Sequence, residues 1–280
     1  MGIRINTNTS SSIAQRNLQA NRSAEDKTMS HISSGSRIVQ SGEDAAGFSV
    51  STTLNANMRS TQAALRNAND GISMVQIAEG GLSSISEIIV RIRELGVQAA
   101  SDTINPGERR MINREVQQLA SEIGRVTAST DYQGKKLLGG GGAWPTMDVQ
   151  VGIHSDPSDN QLGFNRMKLN TNLDHLGLHG LDFSTKENAR ELLADIDQGL
   201  ATVSTYRATL GSLQSRFMSV INGLGTSHIN LSAAFSRIKD SDLASETSDL
   251  SKSQILSQAS TAVLSQANAL PNMALKLLET

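Results

Sequence analysis

The stretch LASETSDLSKSQILSQASTAVLSQANALPNMALKLL, residues 243–278, decides how the whole chain is read. Apolar residues recur at Leu256, Ala259, Val263, Ala267, Leu270, Ala274 and Leu277, in steps of three and four. That spacing makes one stripe of a helix, suited to packing lengthwise on another helix. The other face carries Ser253, Gln254, Ser257, Gln258, Ser260, Thr261, Ser265, Gln266 and Asn268, and between Ser253 and Thr280 only Lys276 and Glu279 are charged. A solvated helix face normally displays Glu and Lys. Small uncharged polar residues suit a helix enclosed by neighbours of its own kind, so the stretch reads as an assembly element. A soluble coiled coil with one wet face would share the seam but would carry more charge.

Composition agrees with a helical chain. Aromatic residues make up only 3% of the 280 residues. Compact cores draw much of their buried area from aromatics, so a bundle of Leu, Ile, Val, Ala and Met seams is expected. There is no Cys, which excludes disulfides and thiolate zinc sites. The formal net charge is −2 without a basic block, so composition predicts neither nucleic-acid nor anionic-membrane binding. No stretch has the length of a membrane-spanning helix, and the first thirty residues lack the apolar run of a cleaved signal peptide. Taken alone, these facts would leave the protein in the cytoplasm.

Working back from the end, Ile3–Ser12 is polar and reads as irregular. A weakly apolar helix follows from Ile13 to Ser33, with Leu18, Met29 and Ile32 as its seam. Alone it would be marginal in water. Breaks fall at Ser33–Arg37 and Ser41–Gly47. From Ala45 to Ala99 runs the longest periodic segment, with Leu54, Ala68, Val75, Leu82, Ile89 and Gly96 at multiples of seven. Gly71, Gly80 and Gly81 within it mark bends or close helix contacts. Asn105-Pro106-Gly107-Glu108 predicts a capped helix start, and the short connection makes this helix an antiparallel neighbour of the one before. Near the middle the period changes. Gln133-Gly134 and Gly139–Gly142 are turn or linker signals, Met147, Val149, Val151 and Ile153 alternate as in a strand, and Leu162 with Phe164 supplies its partner. Helix returns after Thr185, breaks at Asn222–Thr226, and resumes to the end. The reading is mainly α: an elongated antiparallel helical bundle or coiled coil with a small central β-hairpin region and its two chain ends side by side.

No catalytic constellation emerges. His175 and His179 are four apart, but Gly177 and Gly180 argue against a helix presenting both to a metal. The glycine run lacks the Lys-Ser/Thr of a phosphate loop, and Asp195 and Asp197 fall on different helix faces. The sequence predicts no enzyme, no cofactor and no metal.

Against this background, Ile32-Ser33-Ser34-Gly35-Ser36-Arg37-Ile38 followed by Glu43-Asp44-Ala45-Ala46-Gly47 resembles the N-terminal signature of bacterial flagellin. So do Asn67-Ala68-Asn69-Asp70-Gly71-Ile72 through Gln76, and Arg91-Ile92-Arg93-Glu94-Leu95-Gly96-Val97-Gln98-Ala99. Ser236-Arg237-Ile238-Lys239-Asp240-Ser241-Asp242 and Gln266-Ala267-Asn268 with Pro271 are similar to the C-terminal signature. The resemblance spans most of 1–138 and 185–280. Gln214-Ser215-Arg216 stands where many flagellins have Gln-Asn-Arg, and Pro271-Asn272 where Pro-Gln is common. Residues 139–184 leave little room for the large outer domains many flagellins insert.

The resemblance implies a structural subunit of the flagellar filament, secreted rather than cytoplasmic, whose terminal helices fold on assembly. It implies 1–44 and 236–280 as the inner filament-core domain and 45–235 as a rod-like spoke domain with the β element at about 132–184. Leu18, Met29, Ile32, Leu256, Ala259, Val263, Ala267 and Leu270 would form the assembly seam, with the C-terminal seam packed on the N-terminal helix. The implied partners are other copies of the chain, the flagellar export apparatus, an export chaperone, the filament cap and hook-junction proteins, with no nucleic acid and no membrane insertion. Arg91, Leu95 and Glu115 occupy positions that contact the flagellin-sensing Toll-like receptor in recognised flagellins, although Val90 replaces the usual Gln beside that Arg. Ion pairing to a neighbouring subunit is the plainer expectation for Arg91 and Glu115. The rival readings are a hook–filament junction protein of similar architecture and a signalling helical hairpin, the latter opposed by the central β element.

Overall fold

The computed structural model describes residues 7–140 and 146–278, with side chains described through residue 269. The expectations for Ile3–Asn6, for Gly141 and Gly142, and for the seam side chains from Leu270 onward lie outside those residues. In chain order the elements are α1 (Thr9–Ser34), α2 (Ala45–Ala99), α3 (Pro106–Ser129), β1 (Asp131–Tyr132), β2 (Lys135–Lys136), β3 (Thr146–Gln150), α4 (Pro157–Asn160), β4 (Gln161–Asn165), a 3-10 turn (Arg166–Leu169), α5 (Lys186–Lys239) and α6 (Leu243–Leu278). The fold is mainly α with two small antiparallel sheets. It divides into two compact units: Met1–Met58 with Asn230–Thr280, and Arg59–Ile229.

In the terminal unit, Asn8 accepts a hydrogen bond from the Ser11 amide at 3.0 Å and caps α1. Helix therefore reaches back to Thr9, into a segment expected to be irregular: a side-chain cap supplies the partner that the first turn lacks. At the other end Gly35 adopts φ +64°, a left-handed conformation that closes the helix without a Cβ penalty. The expected break at Asn222–Thr226 does not occur. Gly223 and Gly225 remain helical within α5, each at a propensity cost of roughly 1 kcal/mol. The chain stops instead at Asp240–Asp242, where partners for the freed backbone groups exist. The Arg37 amide donates to the Lys239 carbonyl at 2.7 Å and the Ser241 amide to the Gly35 carbonyl at 3.0 Å. Asp242 then accepts from the Ala244 amide at 3.0 Å and opens α6. The final helix thus starts at Leu243, not Ser227.

The central unit is built on three helices. Val75, Leu82, Ile85, Ile89, Ile92 and Ala99 of α2 are fully buried with Val116 and Ile123 of α3 and Ile196, Val203 and Phe217 of α5. Arg91 bonds Glu115 while Arg109 bonds Ala99, and Arg93 bonds Asp197 while Gly71 faces Phe217, so α3 and α5 both run antiparallel to α2. Gly71 marks a close contact: a Cβ there would stand 2.6 Å from the Phe217 ring. The expected cap of α3 is present as a reciprocal box. Asn105 accepts from the Gly107 and Glu108 amides while Glu108 accepts from the Asn105 amide. Arg109 then turns back onto α2, donating to the carbonyls of Ala99 at 2.8 Å and Ser101 at 3.0 Å.

Between α3 and α5 the chain lays Leu137, Leu138, Phe164, Leu178 and Phe183 onto the same core. Gln133 and Gly134, both with positive φ, make the tight turn of β1–β2. β3 pairs β4 in antiparallel register, Met147 opposite Phe164 and Val149 opposite Leu162, as the alternation predicts, but the strand ends at Gln150 and leaves Val151 and Ile153 beyond it.

Candidate assembly surface

In the terminal unit α1 and α6 pack against each other. The Asn8 amide group donates to the Ala267 carbonyl at 2.9 Å, Asn21 to the Ser260 hydroxyl at 2.9 Å, and His31 meets Glu246 at 3.0 Å. Positions rise along α1 as they fall along α6, so the pair is antiparallel. The covered positions on α1 form a row at Ser11, Ala14, Leu18, Asn21, Glu25, Thr28 and Ile32, with Ser30 and His31 covered beside it; on α6 they are Glu246, Leu250, Ser253, Ser257, Ser260, Leu264 and Ala267. Both rows alternate steps of three and four, the spacing of a coiled-coil seam. More than half of these positions are polar. Polar residues at such positions fix register at a cost in stability.

The apolar residues point elsewhere. Leu256, Ala259 and Val263 are exposed, Leu256 by 43% and Val263 by 58%. They lie about 100° round the helix from the α1-facing row. On α1, Met29 and Ile13 are likewise about half exposed, whereas Leu18 and Ile32 are half-buried against α6. Of the expected seam, Leu18, Ile32 and Ala267 meet at the α1–α6 contact; Met29, Leu256, Ala259 and Val263 do not. For Leu256, Ala259 and Val263 the expectation that the C-terminal apolar stripe packs on the N-terminal helix is not met within the chain, while Ala267 does pack there. Side-chain hydrogen bonds between α1 and α6 select the serine face instead. Sequence reasoning gave the uncharged polar face to contacts with other copies and the apolar stripe to the α1–α6 pair, so it missed Asn8, Ser11, Asn21 and Ser260 as contacts within the chain; the signal was their own heptad spacing.

At the corner where α1 ends and α6 begins, His31 is 7% exposed. Its Nδ1 lies 3.0 Å from Glu246 Oε1 and its Nε2 lies 3.0 Å from Glu43 Oε1. Burial alone would push the imidazole pKa down, but hydrogen bonds and charge from Glu43 and Glu246 outweigh it, and the pKa is raised. Glu43 is lowered to about 2, by the Val39 backbone amide first and then by His31. Lys27 Nζ stands 3.5 Å from Glu43, and the Ser241 hydroxyl donates to Glu246 at 3.1 Å.

In the central unit Arg91 is tied within its own chain. Its guanidinium bonds Glu115 at 2.9 Å and Glu94 at 3.2 Å on an exposed face. Leu95 is buried in the core. Only Arg91 and Glu115 of the expected trio present side chains to solvent. His175 and His179 sit in the loop before α5, where Gly177 and Gly180 have positive φ; His179 faces Asp174 at 3.6 Å in the open. Asp197 pairs with Arg93. Among the described residues no cluster of His, Cys, Asp and Glu could hold a metal ion, and no helix is long and apolar enough to cross a membrane.

Paired helical ends joined by a largely polar seam, with apolar residues exposed beside it, fit a helical structural protein rather than a catalyst. The sequence matches the bacterial flagellin N-terminal helical region over residues 5–142 and the bacterial flagellin C-terminal helical region over residues 193–278. A flagellin of Halalkalibacterium halodurans is 37% identical over 274 residues, covering 98% of this chain and 99% of that one. The flagellin of Bacillus subtilis is 35% identical over 308 residues, covering 99% and 100%. A flagellar filament 30.7 kDa core protein of Treponema maltophilum is 35% identical over 282 residues, covering 98% and 99%. Among solved structures, Bacillus cereus flagellin superposes with a TM-score of 0.51 at 25% identity, over 61% of this chain and 94% of that one. A putative flagellar hook-associated protein of Vibrio parahaemolyticus gives 0.58 at 12% identity, over 71% of this chain and 100% of that one, and shares the fold alone. The chain belongs to the bacterial flagellin family, a family of structural proteins, and is a short form that serves as a subunit of the flagellar filament.

Proposed function

We propose that the terminal unit is the polymerising element and that its helices become stably ordered only in the filament. The observation that carries this is the mismatch of faces: α1 meets α6 through a mainly polar seam while Leu256, Ala259 and Val263 remain exposed. Such a pair gains little from burying apolar surface within one chain. Other copies supply the missing burial, so folding is coupled to polymerisation and premature assembly is restrained. On this reading 1–44 and 236–280 belong to the inner filament core and 45–235 to the surrounding spoke, although residues 45–58 and 230–235 group with the terminal unit. Secretion, passage through the export apparatus, and contacts with an export chaperone, the filament cap and hook-junction proteins are supported by family membership alone.

Val263→Asp tests the reading. Val263 is exposed in the single chain, so the substitution leaves the α1–α6 seam and the central unit intact. Filaments should be lost under polymerising conditions while the circular-dichroism melt of the soluble chain is unchanged. Normal filaments from this variant would remove α6's apolar stripe from the assembly surface. For Arg91 and Glu115 the ion pair within the chain favours a structural role. Silence of dissociated monomer in a receptor reporter-cell assay would reject the receptor reading.

A further inference from the structure

A neutral imidazole offers one N–H and one lone pair, whereas an ionised carboxylate only accepts. Both nitrogens of His31 face carboxylate oxygens at 3.0 Å. Both contacts are hydrogen bonds only when the ring carries two protons. Glu43 is held as an anion by the Val39 and Gln40 amides, which donate to its other oxygen at 2.8 and 3.3 Å, so on that side of the ring the proton belongs to Nε2. The charged groups facing this corner from the packed elements are Lys27 on α1, Glu43 in the turn before α2 and Glu246 on α6. His31 lies in the last turn of α1 and Glu246 in the first turn of α6, where the helix dipoles favour a cation and an anion respectively.

We propose that His31 is a proton-operated latch that ties the end of α1 to the start of α6 and to the turn between α1 and α2, and that losing its proton as pH rises loosens the paired chain ends. The proposal rests on the reading that the terminal unit is the polymerising element. Deprotonation leaves one nitrogen lone pair against a carboxylate in a site that is almost closed to water, so one of the two ties becomes a repulsion. Ser, Asn and Thr take about half of the seam's other positions, so the apolar burial left to replace it is limited. The sign follows from the raised imidazole pKa. The latch's contribution is fully present below the ordinary histidine value of about 6.5 and is lost as pH rises through the higher folded value. Glu43 acts at the opposite end: its contribution is complete above the ordinary carboxylate range and is lost as pH falls towards about 2.

The test follows filament dissociation temperature from about pH 5.5 to about 9.5 for the full chain and for His31→Arg and His31→Gln. Wild-type filaments should dissociate several degrees lower at the alkaline end. H31R, permanently charged, should be flat across the range, and H31Q low and flat. Glu246→Gln keeps the ring but removes one anion, so its alkaline loss should begin at lower pH than in wild type. A wild-type profile that H31R reproduces, or an E246Q profile that does not move, overturns the latch. If the wild-type chain forms no filaments at any pH, the polymerisation reading fails, and the same series on soluble chain read by far-UV ellipticity tests the latch alone. Wild type then loses helix as pH rises and H31R does not; equal loss in both overturns it.

Discussion

At the residue scale, Gly71 is fixed by what opposes it. The Phe217 ring is fully buried and a Cβ at Gly71 would stand 2.6 Å from it. Gly71→Val should cost the central unit about 2 kcal/mol by overpacking, read from urea unfolding of the soluble chain. Loss of the same size from Gly80→Val, whose Cβ would meet nothing within 4 Å, would show that helix propensity rather than packing is responsible. The sequence flagged both glycines together and could not separate them, because what opposes α2 comes from α5, more than a hundred residues away. His31 was invisible for the same reason. Its partners Glu43 and Glu246 lie 12 and 215 residues off, and no local pattern links them.

At the element scale, local chemistry made the helices readable wherever a cap was written in adjacent residues. Asn105-Pro106-Gly107-Glu108 started α3 as expected, and Asn105→Ala should lower central-unit stability by about 1 kcal/mol, measured by thermal melting. An unchanged melt would mean that Arg109, bound to the carbonyls at the end of α2, holds that corner without the cap. The α5–α6 boundary was misplaced because glycine content was weighed there and long-range pairing could not be. Lys239 and Ser241 find their backbone partners at Arg37 and Gly35. The orientation of α6 failed in a related way. A helical wheel identifies the apolar stripe correctly, but the side that pairs within the chain was decided by Asn8, Asn21 and His31 reaching across to polar groups.

At the scale of the whole molecule, a chain poor in aromatics and free of cysteine places its apolar core in the central unit and a mainly polar seam in the terminal one. Phe164, Phe183 and Phe217, three of its five phenylalanines, are fully buried in that central core. Stability is therefore uneven by construction. The helical class, the central hairpin and the pairing of the chain ends were legible from periodicity; the division of labour between units was not, because it depends on which faces are covered. Amide hydrogen exchange, comparing soluble chain with assembled filament, reads that division directly. Protection across Thr9–Ser34 and Leu243–Leu278 should appear only in the filament, while α3 and the buried stretches of α2 and α5 are protected in both states. Equal protection of the terminal helices before and after polymerisation would contradict folding coupled to assembly.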